Sequence, residues 1–342
     1  MWKITRIIAA LLTVAIVVFV PLFAFPESVK GEEKPIKTEQ YKFALTLWNI
    51  DVFEGGTGSR GDFLAARANE RTDDGIIILV KSHTPESVKK SIEKGEIPDM
   101  VSFGVGVDSV RLLCRYLPSS GFKGGVIGGK TYAVPWCLGG YYLIAKQADN
   151  RLIEGLNLKN TNLNDVIVSQ NSYNLPVLAM KTSGVTATAA EYLSPMDAYL
   201  KFVTKEGGVL LGTQRDLRRL EKRGVAFSAY PLTGFSDLCQ YIAVTTKSDE
   251  KYRACLDFIR YITGEKVQDK LWKIGMMRAD GKTDDKTGGN ADFYGYDFDK
   301  NKHTISPFSS VDTIEEVKKL LNTQKIDDFI DDKVKNTLKN LR

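Results

Sequence analysis

Between Phe43 and Gly104 the chain changes character repeatedly, and that alternation limits the folds open to it. Phe43 to Ile50, FALTLWNI, is almost continuously apolar, as strands covered on both faces are. Phe63 to Arg71 has helical character, and Ile76 to Val80, IIILV, is a second strand. Pro85 then opens a helix in which Val88 and Ile92 are spaced by four. Pro98 to Gly104 supplies a third strand that ends in glycine. Strand, helix, strand, helix, strand predicts an α/β fold, a parallel sheet with helices on both faces. Such sheets bind small molecules outside the carboxyl ends of their strands. Here the first strand runs directly into a polar, glycine-rich loop, DVFEGGTGSR (51–60), which becomes the first candidate site.

The rest of the chain extends this pattern. Lys130 to Lys146 reads as two strand-like runs with Pro135 and Gly139-Gly140 between them. Proline is disfavoured inside a central strand, so a bend between domains is expected there. Strands are predicted at Leu175 to Met180, Gly207 to Leu211, Phe227 to Leu232 and Gln240 to Thr245. Helices are predicted at Met196 to Val203, at the charged Asp216 to Arg223, and from Asp249 to Leu271 with Gly264 dividing two of them. Gly281 to Asn301 reads as loop, and a charged helix begins near Thr313. After roughly 40 residues of export segment and tether, about 300 remain, which suits two domains better than one.

Ile7 to Phe25 carries no charge and follows Lys3 and Arg6. Its length falls within the about 17–25 residues of a spanning helix rather than the about 7–15 of a secretory core. The positive flank places the N-terminus in the cytoplasm and everything after Pro26 outside. Leu22-Phe23-Ala24 is a poor cleavage pattern, which favours an uncleaved anchor over 1–25 with a tether at 26–40. The net charge of +5 is too mild and too evenly interleaved for nucleic acid. Four cysteines without CxxC spacing and two isolated histidines argue against a zinc site. A Cys137–Cys239 bridge is the one disulfide considered.

Three motif matches fail on context. Gly56-Thr57-Gly58-Ser59-Arg60-Gly61 fits GxGxxG, but it begins several residues after the strand, and the second strand ends in Lys81-Ser82-His83 rather than an acidic residue. What survives is a loop able to offer backbone N–H groups to an oxygen-rich ligand. Ser87 to Lys90 fits SxxK on a lysine-rich helix with no cleft, and Lys181 to Gly184 carries one residue too many for KTG. GxSxG and HExxH do not occur, and no cofactor, metal or catalytic group is expected. The aromatics say more. Trp48, Phe53, Trp136, Tyr141, Tyr142 and Tyr230 fall at strand ends or at the bend, where flat rings stack on sugars and neighbouring carboxylates and amides bind hydroxyls. Core packing accounts for any one of them; the set marks a cleft.

Taken in order and spacing, LTLWNIDVFEGGTGSR (45–60), IPDMVSFG (97–104), GKTYAVPWCLGGYYLIAK (129–146), GVAFSAYPLTGFSD (224–237) and YRACLDFIRYITGEKVQDKLWKIGMM (252–277) resemble the extracellular solute-binding proteins of ABC importers, especially their carbohydrate-type branch. The resemblance implies a two-lobed periplasmic-binding-protein-like fold whose crossing strands act as a hinge. Lobe one would hold 41–134 and 233–308, and lobe two 135–232 and 309–342. Ligand contacts are implied for Trp48, Asp51 and Glu54 after the first strand, with Gly56 and Thr57 in the same loop. Trp136 follows the hinge, Gln214 and Arg215 form the cleft-facing turn of lobe two, and Tyr230 and Asp237 flank the return crossing. The implied protein is a monomer on the outer face of the membrane, anchored or secreted, that binds a small solute, a sugar or sugar derivative, and hands it to a membrane permease. The rivals are a tethered ligand sensor on the same fold and an extracellular enzyme. The missing lipid-anchoring cysteine and a short second lobe depart from the family pattern.

Overall fold

The computed structural model describes residues 42–51, 59–72, 75–118, 125–154, 156, 161–205, 207–281, 296 and 306–321. The chain begins with β1 (Phe43–Ile50), α1 (Ser59–Asn69), β2 (Ile76–His83), α2 (Pro85–Glu93) and β3 (Met100–Phe103). It continues through β4 (Val134–Leu138), β5 (Tyr141–Lys146), β6 (Val166–Ser169), α3 (Pro176–Thr182), β7 (Ala190–Leu193) and α4 (Pro195–Thr204). Then come β8 (Val209–Thr213), α5 (Gln214–Lys222), β9 (Phe227–Leu232), β10 (Cys239–Val244) and α6 (Asp249–Ile262). α7 (Glu265–Gln268), β11 (Met277–Arg278) and α8 (Val311–Leu321) follow.

Two sheets organise these elements. The first has the order β11-β4-β10-β3-β1-β2 and the second β7-β6-β8-β5-β9. β1 lies between β2 and β3, both parallel to it, so the chain leaves its carboxyl end to one side and returns on the other. That is a topological switch point, where open α/β sheets bind ligands. The second sheet repeats the device: β6 lies between β7 and β8, again both parallel. β10 and β5 run antiparallel to their neighbours and bring the chain back. The second sheet is covered on both faces, as alternation along a strand requires. Leu143, Ala145 and Leu211 enter the main core, while Tyr142, Ile144 and Leu210 meet α4 and α5 through Tyr199, Phe202, Leu217 and Leu220. α5 is nearly all charge, and its Leu217 and Leu220, three apart, suffice to seat it because Thr213 and Asp216 form a capping box at its start.

The bend between the sheets is narrower than expected. β4 belongs to the first sheet, and the outgoing crossing is Gly139-Gly140 alone. Pro135 lies inside β4, where a register shift against β10 between Gln240 and Tyr241 accommodates it. Such a bulge is where a sheet tolerates a residue without an N–H. The glycines are required by proximity: a Cβ on Gly140 would stand 2.4 Å from the Tyr296 ring, and one on Gly139 2.8 Å from Gln214 Oε1. The return crossing joins β9 to β10 over residues 233–238. The two crossings are hydrogen-bonded, Gly139 N to Leu238 O at 2.5 Å and Ser236 Oγ to Gly139 O at 3.0 Å.

Three sequence expectations change. Trp136, expected after the hinge, lies in β4 of the first sheet, before the crossing at Gly139-Gly140. Leu175 to Met180 is not a strand; Pro176 at the first helical position starts α3, and Pro176 to Met180 are all buried. A short, continuous apolar run cannot distinguish a buried strand from a buried helix. Cys137 and Cys239 are not bridged. Cys137 stands opposite Gln240, so Cys239, one residue along, points to the other face of the sheet. Among the described residues no helix is long and apolar enough to cross a membrane, and Ile7 to Phe25 lies outside them.

α8 touches both lobes. Just before it Phe308 meets Phe103 at 5.6 Å and Ser310 bridges to Gly106, both beside the first sheet. Farther along, Lys318 Nζ donates to Asn171 O at 2.7 Å and Lys181 Nζ donates to Leu321 O at 2.9 Å, on the second.

Candidate functional site

At the carboxyl end of β1, Asp51 accepts a 2.6 Å bond from Arg60 Nε in the first turn of α1. The Arg60 side chain is fully buried and that of Asp51 is 13% exposed, so this is an ion pair at the edge of the interior. Behind it lies a buried polar layer that spans four strands. Ser102 Oγ donates to Asn49 Oδ1 at 3.1 Å and accepts from Trp136 Nε1 at 3.0 Å and Gln240 Nε2 at 3.1 Å. Those three bonds use the full capacity of one hydroxyl. Gln240 Nε2 also donates to Ile50 O at 3.0 Å, which pins the end of β1 to β10. Asn49 Nδ2 and Gln240 Oε1 find no partner in this layer although both side chains are fully buried. Each such group costs about 1–3 kcal/mol.

The two tryptophans are not brought together. Trp136 is fully buried, its Nε1 on Ser102 and its ring stacked on Phe63 of α1 at 6.0 Å. Trp48 precedes Asn49 and therefore lies on the opposite face of the sheet, 4.5 Å from the His83 ring. Burial first and Lys81 second lower the pKa of His83. Glu54, Gly56 and Thr57 fall outside the described residues.

In the second lobe, Gln214 and Arg215 open α5. Gln214 is buried, with Oε1 accepting from Gly140 N at 2.9 Å and Nε2 donating to Met276 Sδ at 3.4 Å. It therefore locks the outgoing crossing, while Arg215 beside it remains half-buried. Tyr230 lies on the edge strand β9 opposite Leu143, its phenol pushed up by partial burial. Asp237, on the return crossing, is buried, accepts from the Tyr141 hydroxyl at 2.5 Å and from Leu175 N at 2.8 Å, and is pushed up to about 6, chiefly by desolvation.

Sequence reasoning passed over the loop after β6. Gln170 to Leu175 occupies the switch point of the second sheet, as Asp51 does that of the first. Its own amides shape it: Asn171 N donates to Asn174 Oδ1 and Tyr173 N to Asn171 Oδ1, both at 2.8 Å. Tyr173 reaches the first lobe, its hydroxyl donating to Glu86 Oε1 at 3.0 Å and its ring lying against Gly106, where a Cβ would stand 2.7 Å from Cδ1. Burial and then Glu86 push the Tyr173 phenol up to about 12. The signal was present as VIVS followed by QNSYN, an apolar strand and then a turn-forming run. The lobes also meet where Arg218 lies 5.3 Å over the Trp272 ring. Among the described residues no cluster of His, Cys, Asp or Glu could hold a metal.

Solved structures share this architecture. The cyclic α-maltosyl-1,6-maltose binding protein from Arthrobacter globiformis superposes with a TM-score of 0.56 at 14% identity, over 87% of this chain and 99% of its own. A GABA receptor gives 0.55 at 13% identity, over 82% and 98%. A two-component system protein that mediates signal transduction gives 0.53 at 14% identity, over 80% and 99%. No protein-family model matches the chain, and no curated protein does. The chain therefore has the two-lobed fold of solute-binding proteins. At these identities the likeness defines the fold and leaves the ligand to the site.

Proposed function

We propose that this protein captures a small solute outside the cell, a sugar or sugar derivative, and delivers it unchanged to the membrane permease of an ABC importer. The observation that carries the reading is the pair of switch points, after β1 and after β6, in two lobes joined by hydrogen-bonded crossings. A hinge of that kind lets a ligand favour one lobe arrangement by binding both lobes at once. Asp51 meets the solute from lobe one, and Arg215 with the amides of 170–174 from lobe two. Trp48, Trp136, Gln214 and Asp237, all nearly or fully buried, shape the site from behind. The maltosyl-maltose binder of like fold supports a sugar. The half-buried Arg215 near the second switch point supports a second class, a sugar acid or other small carboxylate. The likeness to a two-component signalling protein supports a second role, a tethered sensor of the same ligand.

Mass spectrometry of solute released from the purified, folded protein tests the reading directly. A neutral saccharide supports the first class and a carboxylate the second. The proposal fails if no solute is carried and none among sugars, sugar acids and amino acids raises the melting temperature.

A further inference from the structure

Asp237 sits where the two crossings meet, and its two oxygens are spent on two different segments of lobe two. Oδ1 takes the hydroxyl of Tyr141, the first residue of β5, and Oδ2 takes the N–H of Leu175, the last residue of the switch-point loop. The residue is 2% exposed. One side chain on the return crossing thus holds both the outgoing strand and the loop that carries Tyr173 to the other lobe. No cation pairs with this carboxylate among the described residues. Lys318 on α8 acts on it from farther off and is itself engaged by Glu315 at 2.8 Å and Asn171 O at 2.7 Å. The other ionisable neighbours are Tyr141, Tyr241 and Cys239, with Tyr296 beyond Tyr141. Burial pushes Tyr141 and Tyr241 well up and Cys239 to about 12, so these three stay neutral around it.

We propose that Asp237 is a positioning residue, a proton-locked pin in the hinge: one proton on its carboxylate favours the arrangement that holds the return crossing to Tyr141 and Leu175, and losing that proton favours release of the crossing into water. The proposal rests on the two-lobed reading but on no particular solute. The sign follows from linkage. The group binds a proton more tightly when buried, near pH 6, than when hydrated, near its ordinary 3.8. The preference for the pinned arrangement is therefore full below about pH 4 and is lost as pH rises to about 6. A shift of that size corresponds to up to roughly a hundredfold in the equilibrium. A neutral carboxyl still suits the site, since its C=O can accept from Leu175 and its O–H can donate to the Tyr141 oxygen. A protein displayed outside the cell would thereby bind with a hinge tightened in acid.

The test uses the ligand-free full chain and Asp237→Asn, whose amide reproduces the neutral donor and acceptor pattern. Melting temperatures are taken from pH 4 to pH 8, with amide exchange of residues 170–176 and 233–239 compared at equal pH. The two proteins should melt together near pH 4, and the variant several degrees higher at pH 7.5 with slower exchange in both segments. A difference that does not change with pH overturns the proposal. If the variant does not fold, Tyr141→Phe decides. It removes a bond that favours the charged form, so the midpoint of the wild-type profile must move upward, and an unmoved midpoint overturns the pin. Neither result depends on whether the solute is a sugar, so failure here leaves that reading standing.

Discussion

At the carboxyl end of β1 the chain meets a carboxylate paired with a buried guanidinium; at the carboxyl end of β6, the equivalent strand of the other lobe, it meets a turn built from amides. Among the described residues the first end is held from within its own lobe, by Arg60, Ser102, Trp136 and Gln240. The second borrows its partners: Tyr173 bonds Glu86 of the first lobe, and Leu175 bonds Asp237 of the crossing. The first end is therefore braced from within lobe one, and the second is tied to the other lobe and to the crossing as well as by its own amides. For the proposed solute binder the asymmetry would let the braced half hold a solute while the other half responds to it.

The sharpest way to break the contrast is Arg60→Ala. Removing one member of a buried pair leaves the other charge uncompensated, and a loss of about 3–5 kcal/mol is expected in urea unfolding. A loss below 1 kcal/mol would mean that Asp51 is already hydrated and that the first switch point is no more braced than the second. Gly140→Ala follows, aimed at the crossing between the halves. Its methyl would meet the Tyr296 ring at 2.4 Å, and the clash should cost about 1–3 kcal/mol by the same measurement. Trp136→Phe keeps the stack on Phe63 and removes the bond to Ser102. About 1–2 kcal/mol should be lost, with ligand affinity weakened through the floor of the site. Unchanged affinity for the co-purified solute would separate that floor from binding.

What could be read in advance divides along the same line. FALTLWNI was legible as a buried strand because both faces of β1 are covered, and its composition says so. Glycines at 139 and 140 were legible as part of the bend. Which face a residue takes, and what covers it, depends on pairing across the chain. Asn49, Ser102 and Gln240 come from strands far apart in sequence, and nothing local announces that they share one hydroxyl. Trp48 and Trp136 read as one aromatic set, but register places them on opposite faces. Asp237 looked like a ligand for hydroxyls because it flanks a crossing; in the fold both its oxygens are engaged inside the protein.

The smallest expected effect discriminates most finely. Tyr173→Phe leaves the ring against Gly106 and removes only the hydroxyl bonded to Glu86, which is exposed. Global stability should change by less than about 1 kcal/mol, as for other bonds at a solvated carboxylate. Glu86 should titrate slightly higher once that bond is gone, since it is one of the contacts, after the backbone and Thr84 at the start of α2, that hold its pKa down. A depressed carboxylate adds stability above its unfolded pKa and loses it as pH falls, so the variant should differ from wild type near neutral pH and converge with it in acid. Locally the expectation is larger: exchange of the amides of 170–174 should quicken, while that of the polar layer at Asn49 and Ser102 stays as it was. Exchange that quickens equally at both switch points would show that the two halves are coupled as one unit. Exchange confined to the second would show that the amide turn depends on its borrowed contact, as the geometry of Tyr173 and Glu86 requires.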